Sequence, residues 1–171
     1  MDIKIPYTPR KHQSFLHNQI SKHRWSVLVC HRRFGKTVCM INHLIRSALL
    51  SNQKNPRYAY ISPTFKQSNS IHWDYMKQFT NKIPYIKFNE TELRVDLPNG
   101  ARITLLGSEN SDGLRGIYLD GCVIDEYANV HSKLFPEIIR PALSDRKGYC
   151  VFIGTPQGMN NNFYELYQHA Q

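Results

Sequence analysis

The sequence lacks the features that would place it in a membrane, outside the cell or around a structural zinc ion. No uncharged apolar stretch approaches the roughly 20 residues that a membrane helix needs, and the first residues lack the segments of a signal peptide. Four cysteines form no Cys-x-x-Cys pair, and eight histidines are scattered without paired ligand spacing. We therefore expect a soluble, cytoplasmic protein with reduced core cysteines, no membrane partner and no zinc site.

Acidic residues are also scarce. The chain has 13 Asp and Glu residues against 22 Lys and Arg residues, which gives a formal net charge of +9. Such a surplus favours polyanionic partners, nucleic acid first, because basic side chains neutralise phosphates and release counterions. A basic surface can also simply be solvated, so the charge alone does not establish DNA binding.

Linkers, repeats and low-complexity tracts are absent as well, so residues 1–171 are interpreted as one domain. Apolar runs without alternation, separated by segments of helical spacing, predict an α/β fold with a mainly parallel sheet and helices on both faces. One region differs, because alternation around Pro98-Asn99-Gly100 predicts a β-hairpin. The predicted strands are the run from Trp25, residues 57–62, 93–97, 103–105, 121–124 and 149–153.

Helices are predicted from caps and apolar spacing. The first opens at Thr8, a capping residue, with Pro9 in the first helical position. Residues 66–80 have helical spacing. Ser132 would cap a helix that reaches Leu143, with Pro141 near its end, and residues 163–169 form a short final helix.

The most informative segment runs from Trp25 to Leu50. It combines an apolar run, a loop that ends in Gly35-Lys36-Thr37 and an apolar-periodic helix. This is the layout of a phosphate-binding loop, in which backbone N–H groups and the positive end of a helix dipole face an anion. Lys36 would neutralise the outer phosphates of a nucleotide, and Thr37 would ligate Mg²⁺.

The loop departs from the pattern G-x-x-x-x-G-K-[ST] because Cys30 occupies the position of the first glycine. Cysteine adopts positive φ less freely than glycine, so we expect the chain to enter this loop differently from a kinase or GTPase loop. His31, Arg32 and Arg33 would place positive charge beside a triphosphate. A strand-to-helix turn with a solvated basic surface is the alternative interpretation.

An acidic pair, Asp125 and Glu126, follows the apolar run 121–124. In an open α/β sheet, ligands collect at the carboxyl ends of the strands. Asp125 would hold Mg²⁺ through water, and Glu126 would accept a proton from the water that attacks the γ-phosphate. A hydrated acidic turn at a strand end is the alternative.

Two further polar residues fit a nucleotide site. Gln13, on the first predicted helix, would pair with the adenine edge because its amide offers both a donor and an acceptor. Thr155 ends the strand that follows Asp125 and Glu126, so its hydroxyl would sense the γ-phosphate or its water. The alternatives are a polar helix residue at position 13 and a turn residue before Pro156.

Six segments follow one another along nearly the whole chain. They are Tyr7-Thr8-Pro9-Arg10 with Gln13, Arg32-Arg33-Phe34-Gly35-Lys36-Thr37, Tyr60-Ile61-Ser62-Pro63-Thr64, Leu114-Arg115-Gly116, Val123-Ile124-Asp125-Glu126-Tyr127-Ala128 and Gly154-Thr155-Pro156. As an ordered set they resemble the ATPase domain of tailed-bacteriophage terminase large subunits. The resemblance implies a P-loop NTPase fold of the ASCE type, ATP and Mg²⁺ as cofactors, and a motor that drives double-stranded DNA into a procapsid.

The resemblance also implies roles for individual residues. Arg32 resembles the arginine that touches the γ-phosphate from within the phosphate loop, and Thr155 lies where the family has its coupling motif. Arg115 matches an arginine that acts as a finger toward a neighbouring subunit. The implied catalytic residues are Lys36, Arg32, Arg115 and Glu126. The implied nucleotide contacts are Arg10, Gln13, Arg32, Arg33, Phe34, Gly35, Lys36, Thr37 and Thr155.

The family's partners are expected as well. They are double-stranded DNA bound without sequence preference, a portal protein, a small terminase subunit and further copies of the chain in a ring, with a monomer in isolation. The setting would be the host cytoplasm rather than the mature virion. Family members usually continue into an RNase H-like nuclease. A metal nuclease needs a cluster of carboxylates, and the best pair here is assigned to Mg-ATP, so we expect no nuclease activity in residues 1–171.

Two other functions remain open at the level of sequence. A superfamily 2 helicase-like ATPase shares a glutamine near the adenine, Gly-Lys-Thr and Asp-Glu, but it would need a second RecA-like domain. A basic DNA-binding module with a vestigial phosphate loop is the other, because the first loop glycine is missing. Mg²⁺-dependent ATP hydrolysis would exclude the vestigial module, and duplex unwinding would favour the helicase.

Overall fold

A computed structural model describes residues 3–171, without the side chains of residues 111–113. The strands are β1 (Trp25–Val29), β2 (Arg57–Ser62), β3 (Lys87–Asn89), β4 (Arg94–Asp96), β5 (Arg102–Gly107), β6 (Gly121–Ile124) and β7 (Tyr149–Gly154). The α-helices are α1 (Lys11–Ile20), α2 (Lys36–Leu50), α3 (Phe65–Gln67), α4 (Trp73–Thr80), α5 (Arg140–Ser144) and α6 (Asn162–His169). Ser68–His72 and Phe135–Ile139 are π-helical, and Ser108–Leu114 and Tyr127–Asn129 are 3₁₀-helical.

These strands form one seven-stranded sheet in the order β1-β7-β6-β2-β5-β4-β3. The pairs from β1 to β5 in this order are parallel, and β4 pairs antiparallel with both β5 and β3. The predicted mainly parallel sheet is therefore confirmed, and so is the hairpin of β4 and β5. Because β5 also pairs with β2, from Arg57 beside Arg102 to Ser62 beside Gly107, the hairpin widens the main sheet.

The core consists of two apolar layers, one on each face of the sheet. Alternate strand residues point to opposite faces, so Tyr60 and Val123 pack in the layer of α1, α2 and α4. Ile61 and Ile124 pack in the other layer, with residues of α5 and α6. Within residues 3–171, no helix is long and apolar enough to cross a membrane.

The first helix begins later than the sequence predicts. Its first residue is Lys11 and its N-cap is Arg10, so the predicted cap at Thr8 is wrong. The reason is that the Gln13 side chain accepts a hydrogen bond from the backbone N–H of Arg10, 3.0 Å away, and so closes the first turn from inside the helix.

The other predicted helices exist with altered geometry. Residues 65–80 are helical, but the run contains the π-turn Ser68–His72. Ser132 does not cap a helix, because the helical run begins at Phe135 with Leu134 as its N-cap. Pro141 lies near the end of this helical run, as predicted, at the start of the segment α5 that follows the π-turn. Pro141 has no backbone N–H that could donate to the carbonyl of residue 137, and a π-turn precedes it.

Candidate nucleotide-binding site

The site lies where the carboxyl ends of the parallel strands meet. The loop after β1, Asp125 after β6 and Thr155 after β7 emerge at the same edge, since β1, β7 and β6 are neighbours in parallel register. The topology thus brings together three segments that are about 90 and 30 residues apart in sequence. The edge of the sheet that the sequence analysis selected is confirmed as the meeting point of these segments.

The loop residues 30–35 have a backbone suited to an anion. Gly35 is the N-cap of α2 with φ of 81°, in the left-handed region. Arg33 also has positive φ, 65°. The first turn of α2 contains no acidic residue, so its positive dipole end is not neutralised there. A turn of this shape directs backbone N–H groups into the space in front of the helix.

Cys30 does not need the conformation of a glycine. It is absent from the positive-φ positions in residues 3–171, and its N–H donates to the Gly154 carbonyl, 3.0 Å away, which continues the ladder between β1 and β7. The unusual φ falls on Arg33 and Gly35 instead. Burial raises the pKa of the Cys30 thiol, so it is neutral near pH 7. The missing first glycine therefore does not distort the loop.

Gln13 is a positioning residue for the loop. It is buried, and its Nε2 donates to the Gly35 carbonyl at 3.3 Å, while its Oε1 accepts from the Arg10 N–H at 3.0 Å and from the Tyr7 hydroxyl at 3.4 Å. A Cβ at Gly35 would lie 2.9 Å from Gln13 Nε2. Both ends of the amide are thus occupied within the chain. The amide nitrogen carries a second N–H, so a donor contact with adenine, as the sequence predicts, does not require those bonds to open.

Lys36 and Glu126 form an ion pair with 2.7 Å between Nζ and Oε1. Both side chains are partly exposed, at 17% and 27%, so they reach the surface of the site. Glu126 itself has φ of 46° and ψ of 49°, a left-handed conformation that costs a non-glycine residue about 1 kcal/mol or more. The strand end therefore holds this carboxylate in a constrained position opposite the lysine.

Asp125 lies deeper than Glu126. It is 3% exposed, its Oδ1 accepts from the Glu126 N–H at 2.8 Å, and its Oδ2 accepts from the Tyr60 hydroxyl at 2.6 Å. Burial raises the pKa of Asp125, while the Tyr60 hydrogen bond and the charge of Lys36 oppose that rise. The result is a buried carboxylate with fixed orientation and hydrogen-bond support on both oxygens.

Thr37 and Asp125 meet through Tyr60. The Tyr60 hydroxyl bonds to Asp125 and also interacts with the Thr37 hydroxyl, and burial raises the Tyr60 pKa far above its ordinary value. A threonine hydroxyl and a carboxylate are hard oxygen ligands of the kind that Mg²⁺ takes together with water and phosphate oxygens. The donor set at this point therefore fits Mg²⁺.

The remaining predicted residues lie around this centre. Arg10, Arg32 and Arg33 are exposed, Phe34 is half-buried, and Thr155 is half-buried directly after β7. The rings of His12 and His31 approach Phe34, with centroids 4.5 and 5.9 Å away. Arg115 is exposed and follows the segment Ser108–Leu114. The nucleotide contacts assigned to these residues stay predictions.

Sequence reasoning assigned no role to Tyr60, Ser62 or His72, which lie behind Asp125. The segment that contains Tyr60 and Ser62 is predicted as a strand and forms part of the family resemblance, but neither residue is given a chemical role. A polar residue at the end of an apolar strand is the signal that marks Ser62. Nothing local marks His72, because its position depends on the π-turn Ser68–His72.

Comparison with known proteins agrees with this geometry. A family model described as the N-terminal domain of the T4-like-virus type terminase large subunit matches residues 29–170. The terminase large subunit of Thermus phage G20c is 40% identical over 60 residues, which are 35% of this chain and 12% of that protein. This chain therefore covers only a small part of that curated relative.

Two solved structures share the fold. The ATPase domain of the large terminase of Thermus phage P74-26 superposes with a TM-score of 0.74 at 22% identity, over 95% of this chain and 70% of that chain. The large terminase of another thermophilic bacteriophage, in complex with ADP, gives a TM-score of 0.78 at 19% identity, over 93% of this chain and 42% of that chain. At these identities the structures show the P-loop NTPase architecture.

Proposed function

The chain belongs to the terminase large subunit family, and we propose that it is the Mg²⁺-dependent, ATP-hydrolysing motor domain of a viral DNA-packaging terminase. The observation that carries this proposal is the pairing of Lys36 with Glu126, 2.7 Å apart, beside the buried carboxylate of Asp125. A cation for the outer phosphates, a base for water and a ligand for a divalent cation thus occupy one site.

Lys36 and Glu126 neutralise each other in their ion pair. The γ-phosphate of ATP offers Lys36 a stronger anionic partner, so the lysine turns to the phosphate and leaves Glu126 as a free base. Water then attacks the γ-phosphorus, the bond to the β,γ-bridging oxygen breaks, and ADP leaves with that electron pair. Glu126 accepts the proton of the water.

Mg²⁺ would be held by Thr37 and, through water, by Asp125, and it would supply charge neutralisation at the phosphates. Tyr60 orients Asp125 for this task. Arg32 is proposed to contact the γ-phosphate. Arg10, Arg33, Phe34 and Gly35 contribute further nucleotide contacts from the loop and the start of α1.

Motion and assembly are part of the same proposal. Thr155 follows β7, the strand between the phosphate-loop strand and the Asp125 strand, so it is placed to transmit the state of the γ-phosphate. Arg115 is proposed as the finger that a neighbouring subunit inserts. We propose that copies of the chain form a ring that works in the host cytoplasm with the portal protein and the small terminase subunit.

The proposed DNA contacts are with phosphates. The net charge of +9 supports double-stranded DNA as a partner, and a motor that moves any sequence must rely on the backbone rather than on bases. We propose no nuclease activity for residues 1–171. Cys30 takes the place of the first loop glycine without needing positive φ, and Mg²⁺-dependent hydrolysis would exclude the vestigial-loop alternative.

The purified chain tests this function. Phosphate release from ATP is measured with Mg²⁺ and with excess EDTA, alone and with duplexes of several sequences at fixed salt. We expect hydrolysis only with Mg²⁺, and DNA binding that is weak, insensitive to sequence and steeply reduced by salt. Hydrolysis that persists in EDTA, or a strong preference for one duplex, would contradict the proposal.

A further inference from the structure

Behind Asp125 lies a buried chain of polar side chains. His72 Nε2 is 3.6 Å from Asp125 Oδ2, and His72 Nδ1 is 2.8 Å from Ser62 Oγ. Ser68 Oγ is 3.0 Å from Ser62 Oγ and 3.1 Å from the carbonyl oxygen of Leu106. Ser62 and Ser68 are fully buried and His72 is 6% exposed. This network of buried side chains therefore runs from the Asp125 carboxylate to the end of β5, and none of its side-chain residues is more than 6% exposed.

The proton positions follow from the neighbours. Burial and the nearby charge of Lys36 lower the pKa of His72 to about 4, so its ring is neutral at pH 7. A neutral ring has one N–H and one acceptor nitrogen. Directing the acceptor at the Asp125 carboxylate would be repulsive, so the hydrogen-bond network assigns the N–H to Nε2. Ser62 then donates to Nδ1, and Ser68 supports Ser62.

Local structure brings His72 to this place. Ser62 is the last residue of β2, and its neighbour Ile61 lies beside Ile124 of β6, so Ser62 and Asp125 end adjacent strands. His72 ends the π-turn Ser68–His72, in which wider turns change the angular position of the side chains relative to an α-helix. Its ring packs against Tyr60, with centroids 4.7 Å apart. Single-turn π segments are frequent at functional sites.

We propose that His72 is a positioning residue for the metal-binding carboxylate of Asp125, and that Ser62 and Ser68 hold its ring in the required orientation. The inference rests on the proposed nucleotide site and deepens it. The 3.6 Å separation is longer than a hydrogen bond. Such contacts tighten when a site is loaded, so the His72 N–H closes onto Asp125 when the metal and nucleotide bind.

His72 would add a donor beside the Tyr60 hydroxyl. Tyr60 donates one hydrogen bond to Oδ2 and the Glu126 N–H donates one to Oδ1, so the His72 N–H would strengthen the restraint on Oδ2 from its other side. Partners behind a directly ligating carboxylate are worth about 10- to 100-fold in metal affinity when removed, and because Asp125 is proposed to act through water we expect the lower end of that range for His72. Loss of the His72 ring should therefore raise the metal concentration that nucleotide binding requires, and it should leave metal-independent nucleotide binding unchanged.

Two ring variants test the inference on the full chain. His72→Phe keeps a ring of similar size and removes both nitrogens, whereas His72→Gln keeps an amide donor that reaches toward Asp125. The matched control is His43→Phe, because His43 is 4% exposed and burial lowers its pKa to about 4 as well. Its Nδ1 contacts His17, 3.0 Å away, rather than a carboxylate.

The readout is binding of a fluorescent, non-hydrolysable ATP analogue, in EDTA and over a Mn²⁺ titration. We expect His72→Phe to bind the analogue in EDTA within about twofold of the parent, while half-saturation by Mn²⁺ moves up about tenfold. His72→Gln should recover part of that loss, and Ser62→Ala should shift in the same direction by less. His43→Phe should leave the Mn²⁺ midpoint unchanged.

Two results would overturn the inference. One is a folded His72→Phe chain with the parent's Mn²⁺ midpoint, and the other is an equal shift in His43→Phe. A parent chain that shows no metal-dependent nucleotide binding would instead defeat the proposed function.

If the variants do not fold, a second measurement on the parent chain tests the inference. The parent is labelled with ¹⁵N, and its imidazole resonances are recorded with the analogue before and after Mg²⁺ is added. The His72 signals are assigned from their through-space contacts with Ser62 and Tyr60. The Nε2 resonance of His72 should move when Mg²⁺ binds, because its N–H then closes onto Asp125. An unmoved Nε2 resonance in the Mg²⁺-bound chain would overturn the inference.

Discussion

Two buried polar centres flank helix α2, and they differ in function although their histidines look alike. The carboxylate centre consists of Lys36, Thr37, Tyr60, His72, Asp125 and Glu126. The histidine centre consists of Tyr7, His17, Cys39 and His43. In each, burial lowers the pKa of one histidine to about 4.

The difference lies in the charges and in the place on the sheet. The carboxylate centre has two acids at the carboxyl end of β6 and a lysine at the start of α2. In the histidine centre, His17 and His43 stack with ring centroids 5.2 Å apart, next to the hydroxyl of Tyr7 and the thiol of Cys39. A histidine with a lowered pKa therefore does not mark a reactive site by itself. A reactive site is indicated by acidic and basic side chains held together at the end of a strand.

The largest expected effect is in the carboxylate centre. Lys36→Ala removes the cation that meets the outer phosphates and leaves Glu126 without its partner. Hydrolysis should fall by about 10³-fold or more, and nucleotide binding should weaken. Phosphate release and analogue binding measure both. His43→Phe in the histidine centre should keep near-parental hydrolysis at pH 7.5. Equal loss in the two variants would erase the distinction between the centres.

The next effect concerns Arg115, which belongs to neither centre. If it completes the carboxylate centre of a neighbouring subunit, its loss should cost about 10³- to 10⁵-fold in hydrolysis rate. Arg115→Ala chains keep an intact pocket, and Lys36→Ala chains keep an intact finger. Mixtures of the two inactive variants should recover partial activity in a shared assembly. An assembly that contains both variants and stays inactive would argue against action in trans.

Both centres should contribute to stability in acid, because the pKa of His43 and that of His72 are lowered alike, and the contribution of the histidine centre can be tested separately. The pKa of His43 is about 4 in the folded chain against about 6.5 when unfolded, because burial, His17 and Arg46 disfavour its charge. The unfolded chain therefore binds more protons between these values. Stability from this group is complete above pH 6.5 and is lost as pH falls toward 4, by about 3 kcal/mol.

Urea unfolding from pH 4 to 7.5 measures this loss. His43→Phe removes the imidazole, so the unfolding free energy of the variant should depend less on pH than that of the parent. A phenyl ring fits this position because the ring of Tyr149 and the side chain of His17 surround it. An unchanged slope in the variant would show that His43 is not the group that titrates.

The smallest expected effect is at Gln13, which links the two centres through Tyr7 and Gly35. Gln13→Ala should raise the KM for ATP about tenfold, because the lost bond to Gly35 frees the phosphate loop. Gln19→Ala on the same helix is the control. The KM for GTP should rise by the same factor as the KM for ATP. A loss confined to ATP would show that Gln13 contacts adenine.

Much of the fold could be predicted from residue patterns. Strands such as Arg57–Ser62 and Gly121–Ile124 are continuous apolar runs because both faces of the sheet are covered, and the structure has them at the predicted bounds. Helix starts were less predictable. The cap at Thr8 failed because Gln13 closes the first turn of α1, and the cap at Ser132 failed because the run begins at Phe135.

The site was predictable where the chemistry is local. Gly35, Lys36 and Thr37 are consecutive, and so are Asp125 and Glu126, and each group follows a recognisable strand. His72 and Ser62 were not predictable as a pair, since their contact depends on a π-turn and on the order of β2 and β6 in the sheet. Such tertiary contacts leave no periodic signal in the sequence.

The most direct test of the account is the fate of ATP on Glu126→Gln. This change keeps the size and hydrogen-bonding reach of the side chain but removes the base and the ion pair with Lys36. In a single-turnover experiment with labelled ATP and Mg²⁺, the parent should convert bound ATP to ADP, whereas the variant should bind ATP at least as tightly and retain it intact. Hydrolysis by Glu126→Gln at the parent rate would contradict the assignment of Glu126 as the base and of this strand end as the catalytic centre.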